Sequence, residues 1–378
     1  MALLPALLPL LLLAPAAGSE RQRQQIMPAF SWATLPVAWH SGNSTGRYTD
    51  AQIRELARYS MVTLEKFQGL REIVPAEMLA GPYEAGLYAC QDNATGSLAR
   101  CGCCAEDEMT AVFRRLKALN PQVVTVAYFN AQIGYPWYRA ARALAQNPAW
   151  WLTAHSSAKH SGPPGSTWQI WDLSIAAAAE AWKEGCVNAT RTGVIDSCFV
   201  DGCMGNDQPG SAGLGAATHK AIAELQASVP GPIVCGTGGD FKSRLLKESG
   251  VRGYQDEGWG VMDRRTGKAS FATREIPGLM AAAARGVVFQ AHGRAVCGIA
   301  GKPCENRTAP CWRPLPHYTE PAVQTELAAF LVAMGRYSYF VCGTWENYPA
   351  NASTWNPVYD LPLGEPLSDA KLGADGVW

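Results

Sequence analysis

Seven polar residues fall at the ends of short apolar runs, where a strand can fix a side chain that still reaches solvent. Glu65 ends MVTLE, Asn130 ends VVTVAYFN, Asp172 follows TWQIW, Asp201 ends IDSCFVD, Asp256 and Glu257 end VRGYQDE, and His292 ends GVVFQAH. Carboxylates delivered together to one place suit chemistry at an acetal carbon. One carboxylic acid protonates the leaving oxygen, and one carboxylate serves as nucleophile or base. Such a pair works when burial and neighbouring charge push the two pKa values apart. Any single acid at a strand end serves equally well as a helix cap or an Arg partner; the set together favours chemistry. His292 alone reads as a hydrogen-bonded rim residue.

Alternation sharpens the choice. Cys198 and Val200 suit a helix-covered face, which turns Ser197, Phe199 and Asp201 the other way. Val62 and Leu64 do the same for Thr63 and Glu65, while Glu257 shares a face with Gln255 and Gly253, and Asp256 with Tyr254. Asp201 is therefore the expected nucleophile or base and Glu257 the expected general acid, with Asp256 or Glu65 as alternative acids. Glu65, Asn130, Asp172, Asp256 and His292 are expected to line the cleft. With thirteen Trp and thirteen Tyr in the chain, Trp259 and Trp345 are the rings assigned to it for stacking.

Other chemistries lack their residues. There is no G-x-S-x-G, no H-E-x-x-H, and no G-x-G-x-x-G after the first strand. His155 and His160 sit in a Ser/Gly/Pro-rich stretch, and the cluster Cys101, Cys103, Cys104 lacks paired C-x₂-C spacing. No metal or organic cofactor is expected. The twelve Cys suit disulfides, including at least one within or between the loops Cys90–Cys104 and Cys297–Cys311. Cys203, close behind Asp201, reads as a disulfide or a buried thiol.

The elements that must hold these residues alternate between strand and helix. Trp32–His40, Met61–Gly69, Val123–Ala131, Thr167–Ser174, Ile195–Gly202, Gly231–Gly238, Val251–Gly260 and Gly286–Gly293 read as eight strands. The clearest helix carries Met109, Val112, Phe113, Leu116 and Leu119 at helical spacing, begins with acids and stops at Pro121. Eight alternations predict an α/β fold, a (β/α)₈ TIM barrel with long disulfide-bearing loops. An open doubly wound sheet is the rival, because periodicity cannot see closure. Boundaries are set at 1–18 for a signal peptide, 30–343 for the barrel and 344–378 for an extension wrapping it.

The start, MALLPALLPLLLLAPAAGSE, pairs an apolar run from Leu3 to Leu13 with small residues from Ala14 to Ser19, the pattern of a secretory signal cleaved between Ala17 and Glu20. Asn43, Asn93, Asn188, Asn306 and Asn351 each begin an N-x-[ST] acceptor. The 32 basic and 32 acidic residues cancel, with no polybasic tract, so neither nucleic acid nor an anionic membrane surface is an expected partner.

Four pieces lie in order over roughly residues 30 to 370: VTLEKFQG (Val62 to Gly69), WDLS (Trp171 to Ser174), FVDG (Phe199 to Gly202) and YDLPLGEP (Tyr359 to Pro366). In these the sequence resembles glycoside-hydrolase-like TIM-barrel families. The resemblance implies a TIM barrel of glycosidase ancestry, marks Asp201 as the essential acid, and makes Glu65 and Asp172 site-lining. Such barrels commonly carry further strands after the LGxP-like segment, whereas this sequence ends at Trp378. The resulting expectation is a secreted glycoside hydrolase acting on a poly- or oligosaccharide. Its alternatives are a catalytically inactive carbohydrate-binding barrel and a structural cell-surface or wall glycoprotein.

Overall fold

Eight parallel strands close on themselves in the order β1-β10-β9-β8-β7-β6-β3-β2. They are β1 (Val37–Ser41), β2 (Met61–Leu64), β3 (Val124–Asn130), β6 (Ser197–Asp201), β7 (Val234–Thr237), β8 (Gly253–Trp259), β9 (Val288–Gly293) and β10 (Ser338–Cys342). The computed structural model describes residues 26–27, 30–70, 104–135, 137–152, 169–203, 213–237, 250–259, 275–293, 321–342 and 355–373. The chain is thus a closed (β/α)₈ barrel, and closure is what periodicity left open.

Both faces of such strands are covered, so they read as unbroken apolar runs; all seven residues of β3 are buried. Cross-strand register separates the two faces. Ala38, Met61 and Val124 are mutual neighbours, as are His40, Thr63 and Val126, and both rows point to the axis. Tyr128 and Asn130 pair with Phe199 and Asp201 on the same side. Asp201 continues to Gly236, then to Gln255 and Gln290. The rows between, such as Val62, Leu64, Cys198 and Val200, face the helices.

Those helices form where the local signals lie. α1 (Asp50–Leu56) starts in a capping box, Thr49 accepting from the Gln52 N–H and Gln52 reaching back to the Thr49 N–H. α2 (Ala105–Leu119) buries Met109, Val112, Phe113 and Leu116, with three acids in its first turn. Leu119, assigned to the same stripe, is instead 55% exposed, because the helix ends on it. α3 (Arg139–Gln146), α4 (Ala176–Thr190), α5 (Leu214–Ser228), α6 (Ile276–Ala284) and α7 (Pro321–Ala333) follow.

Two strand assignments change. The run Thr167–Ser174 is not a barrel stave: its β5 (Gln169–Ile170) pairs antiparallel with β4 (Ile133–Gly134) in a separate two-stranded ribbon. A short aromatic run satisfies its backbone equally well in a local ribbon, and Trp171 N–H donates to the Gln132 carbonyl there. The barrel closes instead with β10, between β9 and β1. Asp201 consequently ends the fourth stave and Glu257 belongs to the sixth, still with one stave between them.

Two disulfides flank β6. Cys186 on α4 joins Cys198 on the outer face of β6, and Cys203 joins Cys235 on β7. Cys104 is also disulfide-bonded; the other cysteines of the two long loops, like the amino-terminal apolar run, lie outside the described residues. At the amino-terminal end of the staves, Arg58 stacks on Trp355 at 4.0 Å and makes a two-pronged ion pair with Asp360, at 2.7 and 2.9 Å.

Candidate active site

Asp201 is only partly buried, at the carboxyl end of β6, where barrel chemistry is expected. Its carboxylate is held from three sides. Tyr128 OH donates to Oδ2 at 2.6 Å, Asn130 Nδ2 donates to the same oxygen at 3.3 Å, and the Gly202 N–H donates to Oδ1 at 2.7 Å. That last contact needs the left-handed backbone of Gly202, φ 71°, which turns the chain back on Asp201. Burial first, and then the Asp201 charge, push the Tyr128 phenol well up, so it stays a donor.

Asn130 is fixed in turn. Its Oδ1 accepts the Gln132 and Ile133 N–H groups, both at 2.8 Å, and its carbonyl accepts Trp182 Nε1 from α4. Asn130 and Asp201 are register neighbours on one face, on strands that the sequence reading had set apart by the run Thr167–Ser174.

Glu257 reaches the same place over a gap in the sheet. Gly236, the register partner of Asp201, carries no side chain, and a Cβ built there would stand 3.0 Å from Glu257 Oε1 and collide with Phe199 Cζ. Phe199 points to the axis, so the Glu257 carboxylate does too. It therefore lies over the stave that separates its own strand from that of Asp201, whose register partner is Gly236.

Beneath this pair the barrel interior is polar. Gln290 Nε2 donates to Met61 Sδ, and Gln255 Nε2 donates both to Gln290 Oε1 and to His40 Nδ1, at 2.9 and 2.8 Å. With Nδ1 accepting, the His40 proton sits on Nε2, which donates to Glu65 Oε1 at 2.7 Å. Glu65 Oε2 takes the Lys66 ammonium at 2.8 Å. Burial alone would raise the Glu65 carboxyl, but Lys66 and His40 outweigh it and hold it down at about 2. Burial likewise opposes the Lys66 charge, and Glu65, Tyr135 and Asp201 overcome it, raising the ammonium. Glu65 is thus an ionised anchor, 1% exposed, and cannot supply the acid proton.

The remaining assigned residues divide. His292 is buried within the barrel, its ring stacked 5.9 Å from His40. Asp256 is fully buried and paired in register with Ala291, on the face turned to the helices, so it does not line the cleft. Trp259 also lies in the helix layer: a shift in register after Asp256 turns it so that Nε1 donates to the Glu326 carbonyl of α7 and its ring meets Phe289 edge-on. Asp172 sits in the turn before α4, where Oδ1 accepts the Ser174 N–H at 3.0 Å and its hydroxyl at 2.5 Å. That is a turn-forming role, not a strand-end one. Trp345 lies outside the described residues.

Three residues of the cluster escaped the sequence reading, and each had a signal. Lys66 follows Glu65 inside the VTLEKFQG motif, Tyr128 is two residues before Asn130 on the same face, and His40 ends the first predicted strand.

No protein-family model matches the chain, and no curated protein does. Solved structures do. The cycloalternan-degrading enzyme from Trueperella pyogenes is 15% identical with a TM-score of 0.45 over 90% of this chain, which spans about half (47%) of that one. A GH27 β-L-arabinopyranosidase from Geobacillus stearothermophilus is 12% identical, TM-score 0.49, over 82% of this chain and 72% of its own. An α-amylase from Malbranchea cinnamomea is 10% identical, TM-score 0.46, over 82% and 68%.

Proposed function

We propose that this chain is a secreted glycoside hydrolase acting on a poly- or oligosaccharide by a two-carboxylate mechanism. The observation that carries the reading is that Glu257 reaches over Gly236, the register partner of Asp201, which brings two partly exposed carboxylates to the mouth of the barrel. A separation of ~5–5.5 Å suits direct attack by one carboxylate, whereas ~6.5–9.5 Å leaves room for a water between them. Asp201, with its oxygens fixed by Tyr128, Asn130 and Gly202, attacks the anomeric carbon as the glycosidic C–O bond breaks. Glu257 gives its proton to the departing oxygen. In the second half Glu257, now a carboxylate, takes a proton from water as that water displaces Asp201.

Purified protein tested against a panel of polysaccharides and aryl glycosides checks the reading. Asp201→Asn should abolish hydrolysis while leaving the melting temperature near that of the unaltered chain. Glu257→Gln should spare aryl substrates with acidic leaving groups, which need little protonation. The first-formed anomer, followed by NMR, should match the substrate. Full activity in Asp201→Asn ends the mechanism, and an inverted product removes the direct attack. Saturable sugar binding without turnover would point to a binding barrel, and neither binding nor turnover to a structural glycoprotein.

A further inference from the structure

The motif that carries Glu65 carries a second charged group, and the two are placed very differently. Glu65 is spent: one oxygen accepts from His40, and the other accepts both the Lys66 backbone N–H at 3.2 Å and the ammonium. Lys66 is the exposed end of the pair, with 16% of its side chain open against 1% for Glu65. Its ammonium hangs between two ring faces, 4.8 Å from the centre of Phe67 and 4.4 Å from that of Tyr128. Tyr128 is the ring whose hydroxyl holds Asp201. Among the described residues only Glu65 gives this ammonium a hydrogen-bond acceptor, leaving two of its three N–H groups on ring faces, which accept weakly.

We infer that Lys66 donates a hydrogen bond to a hydroxyl of the sugar ring held against Asp201, and that Glu65 acts only by holding Lys66 in place. This rests on the glycosidase reading of the Asp201–Glu257 pair. Three observations join here. A cation fixed from behind by the His40–Glu65 chain is pre-positioned, so binding costs it little side-chain freedom. The charge of Asp201 acts on it, yet no hydrogen bond joins the two, so neither group saturates the other. Its charge is already matched by Glu65, and Asp201 adds a negative charge nearby, so an anionic sugar is disfavoured. The ligand class is therefore a neutral, hydroxyl-bearing sugar, and Lys66 is a specificity-determining contact.

The test is titration calorimetry of the full mature protein with methyl glycosides of glucose, galactose, mannose and xylose. The tightest binder is then compared with its singly deoxygenated analogues. Lys66→Met should weaken the best sugar at least about ten-fold, the worth of one charge-assisted hydrogen bond. It should also bind one deoxy analogue as well as the parent, and Lys66→Arg should restore part of the loss. Affinity unchanged in Lys66→Met, or full discrimination against every deoxy analogue, overturns the inference, as does a wild-type protein that binds none of these sugars. If Lys66→Met does not fold, Lys66→Arg decides: an altered deoxy preference supports the contact, and an unaltered one overturns it. Aryl-glycoside hydrolysis measured in parallel separates the two readings. Binding that depends on Lys66 without turnover removes the glycosidase and keeps the contact. Turnover that needs Asp201 but is indifferent to Lys66 does the reverse.

Discussion

Two buried glutamates show opposite responses to the same burial. Glu65 meets a cation and a histidine and is held at about 2, while burial pushes Glu106, 4% exposed in the first turn of α2, up to about 7 although its carboxylate accepts from its own N–H and from the Arg139 N–H at 2.9 Å. Glu65 therefore adds stability that is complete above its ordinary value of 4.5 and is lost as pH falls toward 2. Glu106 works the other way: the folded state prefers it protonated, so its contribution is complete below 4.5 and is lost as pH rises through 7. Glu106→Gln keeps an oxygen for Arg139 and removes the buried charge. It should stabilise the protein at pH 8 by roughly 3 kcal/mol and have almost no effect at pH 4.5. Equal melting shifts at both pH values would contradict this account. At this scale the site was half legible. Asp201, Asn130 and Glu257 followed from position and alternation. Trp259 did not, because a register shift within β8 changes which face a residue takes and nothing in VRGYQDEGWG announces it, while Asp256 was assigned to the cleft against its own alternation with Tyr254.

Among elements, β7 contributes by what it lacks. Gly236 lets Phe199 and Glu257 lie across the stave, so Glu257 reaches over bare backbone toward the strand of Asp201. Gly236→Ala should displace Glu257, with a fall of about 10²-fold in kcat for poor leaving groups and a smaller fall for good ones. The crowding against Phe199 should also cost about 1–3 kcal/mol. Unchanged kcat for both substrate types would show that Glu257 does not depend on this gap. The staves themselves were largely readable from their β-branched runs. The exceptions were Gln169–Ile170, whose pairing partner is a local choice, and Ser338–Cys342, which carries the same apolar signal directly behind a helix. Strand character is local and visible; the partner is set by tertiary closure and is not.

For the whole molecule, export is a proposal that the fold makes specific. Asn188 is exposed near the end of α4, whereas Asn43 is 8% exposed, with Nδ2 donating to the Arg47 carbonyl and Oδ1 accepting from Thr45. A glycan on Asn43 would break that turn. Expressed in a eukaryotic secretory host, the chain should begin between Ala17 and Glu20 and carry sugar at Asn188 but not at Asn43, read by peptide mass mapping with and without glycosidase. An unglycosylated product that keeps Met1 would end the export proposal.

The two disulfides beside β6 also have a kinetic meaning. Cys186–Cys198 closes a span of 12 residues and Cys203–Cys235 one of 32, so the stave bearing Asp201 is cross-linked to both its helix and its neighbour. Partial opening of a barrel has to begin at some seam, and two cross-links raise its cost around β6. Backbone amides of Cys198 to Val200 should then exchange with deuterium only through global unfolding. Reduction should let them exchange through smaller openings. The residue proposed as the nucleophile would thus sit on a stave that opens only with the whole barrel.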